Sequence, residues 1–145
     1  MRQEVLDYLK NQRVGVLAVE MPDGSPHAAT LHFAHSEESF VFYFLTHQET
    51  RKLQALKAHN ITRASFVIGS DERNMQTLQL DGVAQLVEER EREAAKAVFL
   101  GKFAEKGEKS TEPDHVLFKF TPTWWRFTDW KTPQGKMIWT SDDTK

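Results

Sequence analysis

The sequence predicts a mainly β protein with helices (α+β), its strands curled into a small antiparallel barrel whose ends or sides the helices plug. Three observations predict this. Strand-like runs outnumber helical ones, in the order helix, three meandering strands, helix, two strands, helix, strand. Asp23-Gly24 stands between two strand-like runs, a strong hairpin signal. The run "SFVFYFLT" (39–46) is apolar on both faces, as a strand is when a core covers one side and a helix or second subunit the other.

The elements follow in order. Val5, Leu6 and Leu9 recur at helical spacing, so residues 2–12 form a leading helix. "RVGVLAVE" (13–20) is the first strand, "MPDGSP" its turn, "HAATLHFAH" (27–35) the second strand and "SFVFYFLT" the third. A short helix follows, with Leu53 and Leu56 on its buried side. "ITRASFVIG" (61–69) and "QTLQLDGVAQLVEE" (76–89) are the next strands, the latter bulging at Asp81-Gly82. Residues 89–106 form a helix with Ala95, Val98, Phe99 and Phe103 facing inward. "GEKSTEP" (107–113) is a surface loop, "HVLFKFTPTWWRFTDW" (115–130) a strand pair or one long bent strand, and 131–145 a tail. No repeat, low-complexity tract or linker divides the chain, so residues 1–145 are one domain.

Composition narrows function. A formal charge of −2 argues against nucleic acid, whose phosphate backbone demands a basic field. The chain has no cysteine, which removes disulfides, zinc ribbons and a thiol nucleophile. No apolar run is long enough to span a bilayer, and the amphipathic first residues do not resemble a signal peptide. A cytoplasmic protein with no membrane partner is expected. There is no Gly-x-Ser-x-Gly turn, Walker loop or Gly-x-Gly-x-x-Gly. Glu88, Glu89, Glu91 and Glu93 alternate with arginines and read as a solvated helix face.

Six histidines raise the question of a metal. On one strand His32 points away from His27 and His35, and those two lie about 26 Å apart, so no metal site is expected from them. Haem ligation by a single histidine needs no such cluster. Trp124, Trp125, Trp130 and Trp139 crowd the last quarter of the chain, where they fill a core or line a flat-ring pocket.

Arg51-Lys52 is the sharpest feature. If Thr46 and Glu49 form a capping box, the helix starts at His47 and both cations lie deeper inside it as solvated residues. If Thr50 is the cap, they fall in the first turn, where the helix dipole disfavours cations unless an anion, phosphate above all, is bound there. Spacing alone leaves both readings open.

The stretch "SPHAATLHF…SFVFYFLTHQETRKLQALKAHNITRASFVIG" resembles the pyridoxamine-5′-phosphate-oxidase-like flavoproteins, the FMN-binding split β-barrels. The resemblance covers roughly residues 5–90. Its most specific part is the strand ending in Thr46 followed by Thr50-Arg51-Lys52, similar to the family's Tyr-Thr…Ser-Arg-Lys segment. The resemblance implies an antiparallel split barrel in which Thr46, Thr50, Arg51 and Lys52 hold the FMN phosphate. It implies that the backbone of Ala29, Thr30 and Leu31 lines the isoalloxazine edge, that Leu45 replaces a family tyrosine, and that Gln76 reaches the flavin across a homodimer interface. Ala29 and Ala34 or His35 replace basic residues of the true oxidase, so pyridoxamine phosphate oxidation is not implied. Trp130 and Lys136, in a tail unlike the oxidase ending, are further pocket candidates. The expected function is FMN-dependent oxidoreduction of an unidentified small molecule, with a non-catalytic flavin, deazaflavin or haem module of the same fold as the alternative.

Overall fold

The computed structural model describes residues 1–69 and 71–144. The leading helix α1 (Gln3–Lys10) buries Val5, Leu6, Tyr8 and Leu9, the stripe its spacing predicts. Strands β1 (Val14–Glu20) and β2 (Pro26–His32) form the expected hairpin, with Ala18 opposite Ala28. Its turn is held by Gly24 at φ +84° and by the Ser25 N–H donating to the Asp23 carboxylate.

The expected strand 27–35 is two strands. It breaks at Phe33, whose side chain is fully buried and whose N–H donates to the Arg13 carbonyl. Beyond it, β3 (Ala34–Ser36) pairs with β4 (Val41–His47) instead of β1. Helix α2 (Arg51–His59), β5 (Ile61–Ile68) and β6 (Gln76–Leu86) follow, with the expected register shift at Asp81/Gly82. A single 3₁₀ turn leads into α3 (Arg92–Lys102), and another follows it where Phe103 leaves helical geometry. Ala95, Phe99 and Phe103 are buried and Val98 half-buried. The segment expected as a loop contains a one-turn helix, α4 (Gly107–Thr111), in which the Ser110 and Thr111 hydroxyls donate back to the Gly107 and Glu108 carbonyls. The strand expected at 115–130 is one piece, β7 (His115–Thr132). The tail is ordered too, as β8 (Gly135–Thr140) pairs with β7.

The sheet runs β2-β1-β5-β6-β7-β4-β3, all antiparallel. One edge of β7 carries β6 along nearly its whole length; the other is shared between β4 and β8. The two ends of the sheet, β2 and β3, are consecutive in sequence, so the sheet curls until its edges approach without bonding. This is a split barrel. Its core is aromatic: Phe33, Phe42, Phe44, Phe66, Phe118 and Phe120 are fully buried. Phe42 and Phe66 meet edge to face at 5.5 Å, and Phe44 stacks on Phe118 at 4.7 Å.

The second apolar face of β4 is covered by α3. Leu45 joins Val98, Leu100 and Leu117 around Ala34, Phe99 and Phe103. Among the described residues, no helix is long and apolar enough to cross a membrane.

Candidate functional site

The split lies between β2 and the end of β4. Among the described residues, β2 bonds only to β1, and β3 pairs with β4 only as far as Tyr43. The outer edge of β2 and the β3-side edge of residues 44–47 therefore keep backbone N–H and C=O groups outside the ladder. Free strand edges recruit partners, and the edge of a flat heteroaromatic ring can be one. Helix α2 packs against β2, and β2 also touches β4. The topology thus brings β2, β4 and α2 into contact.

The structure decides between the two starts of α2. The helix begins at Arg51, Thr50 is its cap residue, and Gln48 and Glu49 form the turn after β4. The capping-box reading fails because Thr46 is still strand, paired with Val116. Arg51 and Lys52 occupy the first turn, which holds no acidic residue. Among the described residues, the N–H groups of Arg51 and Lys52 find no acceptor, and the Thr50 side chain makes no cap bond. The Thr50 hydroxyl lies 3.4 Å from that of Thr46.

Lys52 is only 8% exposed. Among the described residues its ammonium has neither an ion pair nor a hydrogen-bond acceptor, and burial lowers its pKa. Arg51 is exposed, and its charge reaches the β1–β2 turn. There Asp23 is held below the usual carboxylate range first by Ser25 and additionally by Arg51. The first turn of α2 thus carries an ammonium, a guanidinium and two N–H groups without acceptors, beside two neighbouring hydroxyls, donor types suited to a phosphate dianion.

Other expected residues lie elsewhere. Ala29 and Leu31 are half-buried on one face of β2, while Thr30 points out to solvent on the other. Leu45 is on the opposite face of β4 from Thr46, against the α3 cluster. Gln76 opens β6 opposite Asp129, accepting the Tyr8 hydroxyl on its carbonyl and donating its side-chain amide to Asp129. Thr46 pairs with the start of β7 and Gln76 with its far end, on the order of 40 Å along the strand. Within one chain these residues cannot meet one flavin-sized ligand. Gln76 instead lines a 330 Å³ cavity with Met75, Thr77 and Trp130, and the Lys136 ammonium lies 5.4 Å from the Trp130 ring. Trp125 is core, and Trp139 stacks on Phe127 at 5.8 Å beneath the Arg2 guanidinium.

His27 and His32 lie on opposite faces of β2, as their spacing predicts. Two polar groups escaped the sequence reading. One is His47, Glu112, Asp114 and His115, brought together by the β4–β7 ladder, which sets His47 opposite His115. The run Glu-Pro-Asp-His was a signal, but its pairing with His47 is a long-range fact. The other is Lys102, whose ammonium donates to the Leu9 and Gln12 carbonyls and lies 4.3 Å from the Phe33 ring. Burial, with the Arg13 charge adding, lowers its pKa to about 8.

The family model for pyridoxamine 5′-phosphate oxidase matches residues 1–129. No curated protein matches the chain. Among solved structures, a heme-binding protein from Mycobacterium smegmatis is 19% identical with a TM-score of 0.73, over 98% of this chain and 60% of its own. A Clostridium acetobutylicum protein related to general stress protein 26, of the pyridoxinephosphate oxidase family, is 16% identical with a TM-score of 0.68, over 98% of this chain and 95% of its own. HutZ, the heme storage protein of Vibrio cholerae, is 22% identical with a TM-score of 0.64, over 84% of this chain and 91% of its own. At such identities these likenesses establish the fold. The chain spans under two thirds of the length of the Mycobacterium smegmatis protein.

Proposed function

This chain belongs to the pyridoxamine 5′-phosphate oxidase family, and from that premise we propose that it binds FMN and serves as a flavin-dependent oxidoreductase on a small molecule. The observation that carries the reading is Lys52. A largely buried lysine without a counter-ion among the described residues, at a helix N-terminus, is unfavourable on two counts, desolvation and dipole, and a bound phosphate would offset both. Thr46 and Thr50 would add hydroxyl contacts, and Arg51 would close over the anion from the solvent side. The free edge of β2 at Ala29 to Leu31 would meet the edge of the ring system, where a small side chain at Ala29 lets a flat group approach the backbone. Bound flavin supplies hydride and electron transfer, and the chain supplies orientation and a charged seat. Gln76, far from the seat in its own chain, would reach the flavin of a partner in a homodimer.

The test is titration of the apo-protein with FMN, followed by flavin fluorescence. Arg51→Ala together with Lys52→Met should weaken binding by about 2–4 kcal/mol, since charge-assisted contacts contribute about 1.5–3 kcal/mol each and Arg51 is solvent-screened. Lys52→Met alone should cost more than Arg51→Ala alone. Unchanged affinity in the double variant returns both cations to an ordinary solvated face. Bleaching of the bound flavin by a reduced nicotinamide or a substrate without oxygen distinguishes an enzyme from a passive carrier.

A second reading, haem binding, rests on His35. Among the described residues its buried Nε2 has no hydrogen-bond partner, and burial lowers the ring's pKa, favouring the neutral form. The cavity beside it, shared with Lys10, Glu37 and Lys102, is 250 Å³, below the roughly 300–1,000 Å³ of common ligand pockets. Flavin is therefore preferred. A Soret band in haem-reconstituted protein that disappears in His35→Ala would reverse that preference.

A further inference from the structure

The β4–β7 ladder carries a second group of chemically able side chains, on the opposite face of β4 from Thr46. Glu112, Asp114 and His115 each offer one ligand atom, and these atoms lie within 4.8 Å of one another. His115 Nδ1 lies 3.0 Å from Glu112 Oε2 and 3.1 Å from Asp114 Oδ1. One imidazole N–H can point at only one of these oxygens, so protons alone leave the two carboxylates competing for it. A small divalent cation would satisfy all three atoms at once.

The surroundings present Asp114 for this role. His47 Nδ1 accepts the Glu49 N–H at 3.2 Å, which places the proton on Nε2. That Nε2–H donates to Asp114 Oδ2 at 3.0 Å, holding the carboxylate with Oδ1 turned toward His115. The Gln48 N–H donates to the Asp114 carbonyl at 2.7 Å, and Pro113 stiffens the run between Glu112 and Asp114. His115 is 17% exposed, so the imidazole is largely withdrawn from water. Glu112 and His115 also line a 470 Å³ cavity with Arg92, Lys96 and Thr111, which leaves one side open for a further ligand.

We propose that Glu112, Asp114 and His115 bind a divalent first-row transition ion of about the size of Zn²⁺, with His47 as a positioning residue. One imidazole and two carboxylates suit such an ion, with bonds of about 2.0–2.2 Å and a remaining position for water or a small ligand. The hydrogen bond from His47 to the ligating carboxylate is the outer support such sites carry.

The experiment uses untagged, chelator-washed protein titrated with Zn²⁺ against a chromophoric indicator. One equivalent per chain should bind, and His115→Ala and Glu112→Gln should each weaken it at least tenfold. His47→Gln should weaken it less, and His27→Ala, remote from the cluster, should leave it unchanged. Glu112 is exposed, so its variant tests the site even if His115→Ala fails to fold. No stoichiometric binding by the wild type, or wild-type affinity in Glu112→Gln, overturns the proposal. The readout is independent of flavin.

Discussion

Desolvation of an ammonium destabilises the fold that holds it, and Lys52 and Lys102 answer that cost differently. Among the described residues Lys52 has no partner, and the proposed phosphate would supply one. Lys102 has two, the carbonyls of Leu9 in the last turn of α1 and of Gln12 just past its end, so it closes that helix as a cap would. Its lowered pKa gives a prediction with a definite sign. Below pH about 8 the folded state carries the charge under burial; between about 8 and 10.5 the folded state has shed the proton while the unfolded chain still holds it. Unfolding then takes up a proton, so stability rises with pH across that window. Urea denaturation of wild type and Lys102→Met should show the wild type gaining relative stability from pH 8 to 10.5. A constant difference between them would mean that Lys102 is solvated.

The elements were legible in the sequence to different degrees, and locality explains the difference. The β1–β2 hairpin and the β6 bulge are written in two adjacent residues each, Asp23-Gly24 and Asp81-Gly82. The split of 27–35 at Phe33 and the pairing of β8 depend on which strand waits across the gap, so the sequence could not display them. The start of α2 was ambiguous because Thr46 and Thr50 are both competent caps; the pairing of Thr46 with Val116 settled it. The bulge itself can be tested. A Cβ on Gly82 would stand 2.1 Å from the Thr121 carbonyl oxygen and 2.9 Å from Pro122 Cα, both backbone atoms that cannot swing away. Gly82→Ala should therefore cost about 1–3 kcal/mol in urea denaturation, through overpacking against β7. Gly101→Ala meets nothing within 4 Å near the end of α3 and should stabilise, by up to about 1 kcal/mol. Equal effects would mean that β6 and β7 can part at the bulge without penalty.

At the scale of the whole molecule, the proposed homodimer has a face available. The outer side of β2, β1 and β5 presents small side chains: Ala28, Thr30, Ala18 and Ser65, with Val14 41% and Val67 38% exposed. A shallow 590 Å³ depression opens on it between Pro26, Arg63 and Asp81. A face of small side chains suits self-association about a two-fold axis, and in the proposed homodimer Gln76 would have to reach the flavin across it. Light scattering should give twice the 16.8 kDa chain mass, and Val67→Arg should shift it toward the single mass. A wild type that stays monomeric at micromolar concentration would leave Gln76 with no route to the cofactor.

The long strand β7 has a consequence for how the protein is made. The β1–β2 hairpin joins residues as near as Glu20 and Pro26, while the β4–β7 ladder joins Phe42 to Phe120. Contacts so far apart in sequence close late, since the connecting chain must first surrender its freedom. A nascent chain that has not yet emerged beyond His115 has no strand on which to anchor the end of β4. Thr46 and the corner beside it then have no fixed place. Seating of a prosthetic group at that corner therefore waits for the β4–β7 ladder to close and cannot guide the earlier steps of folding.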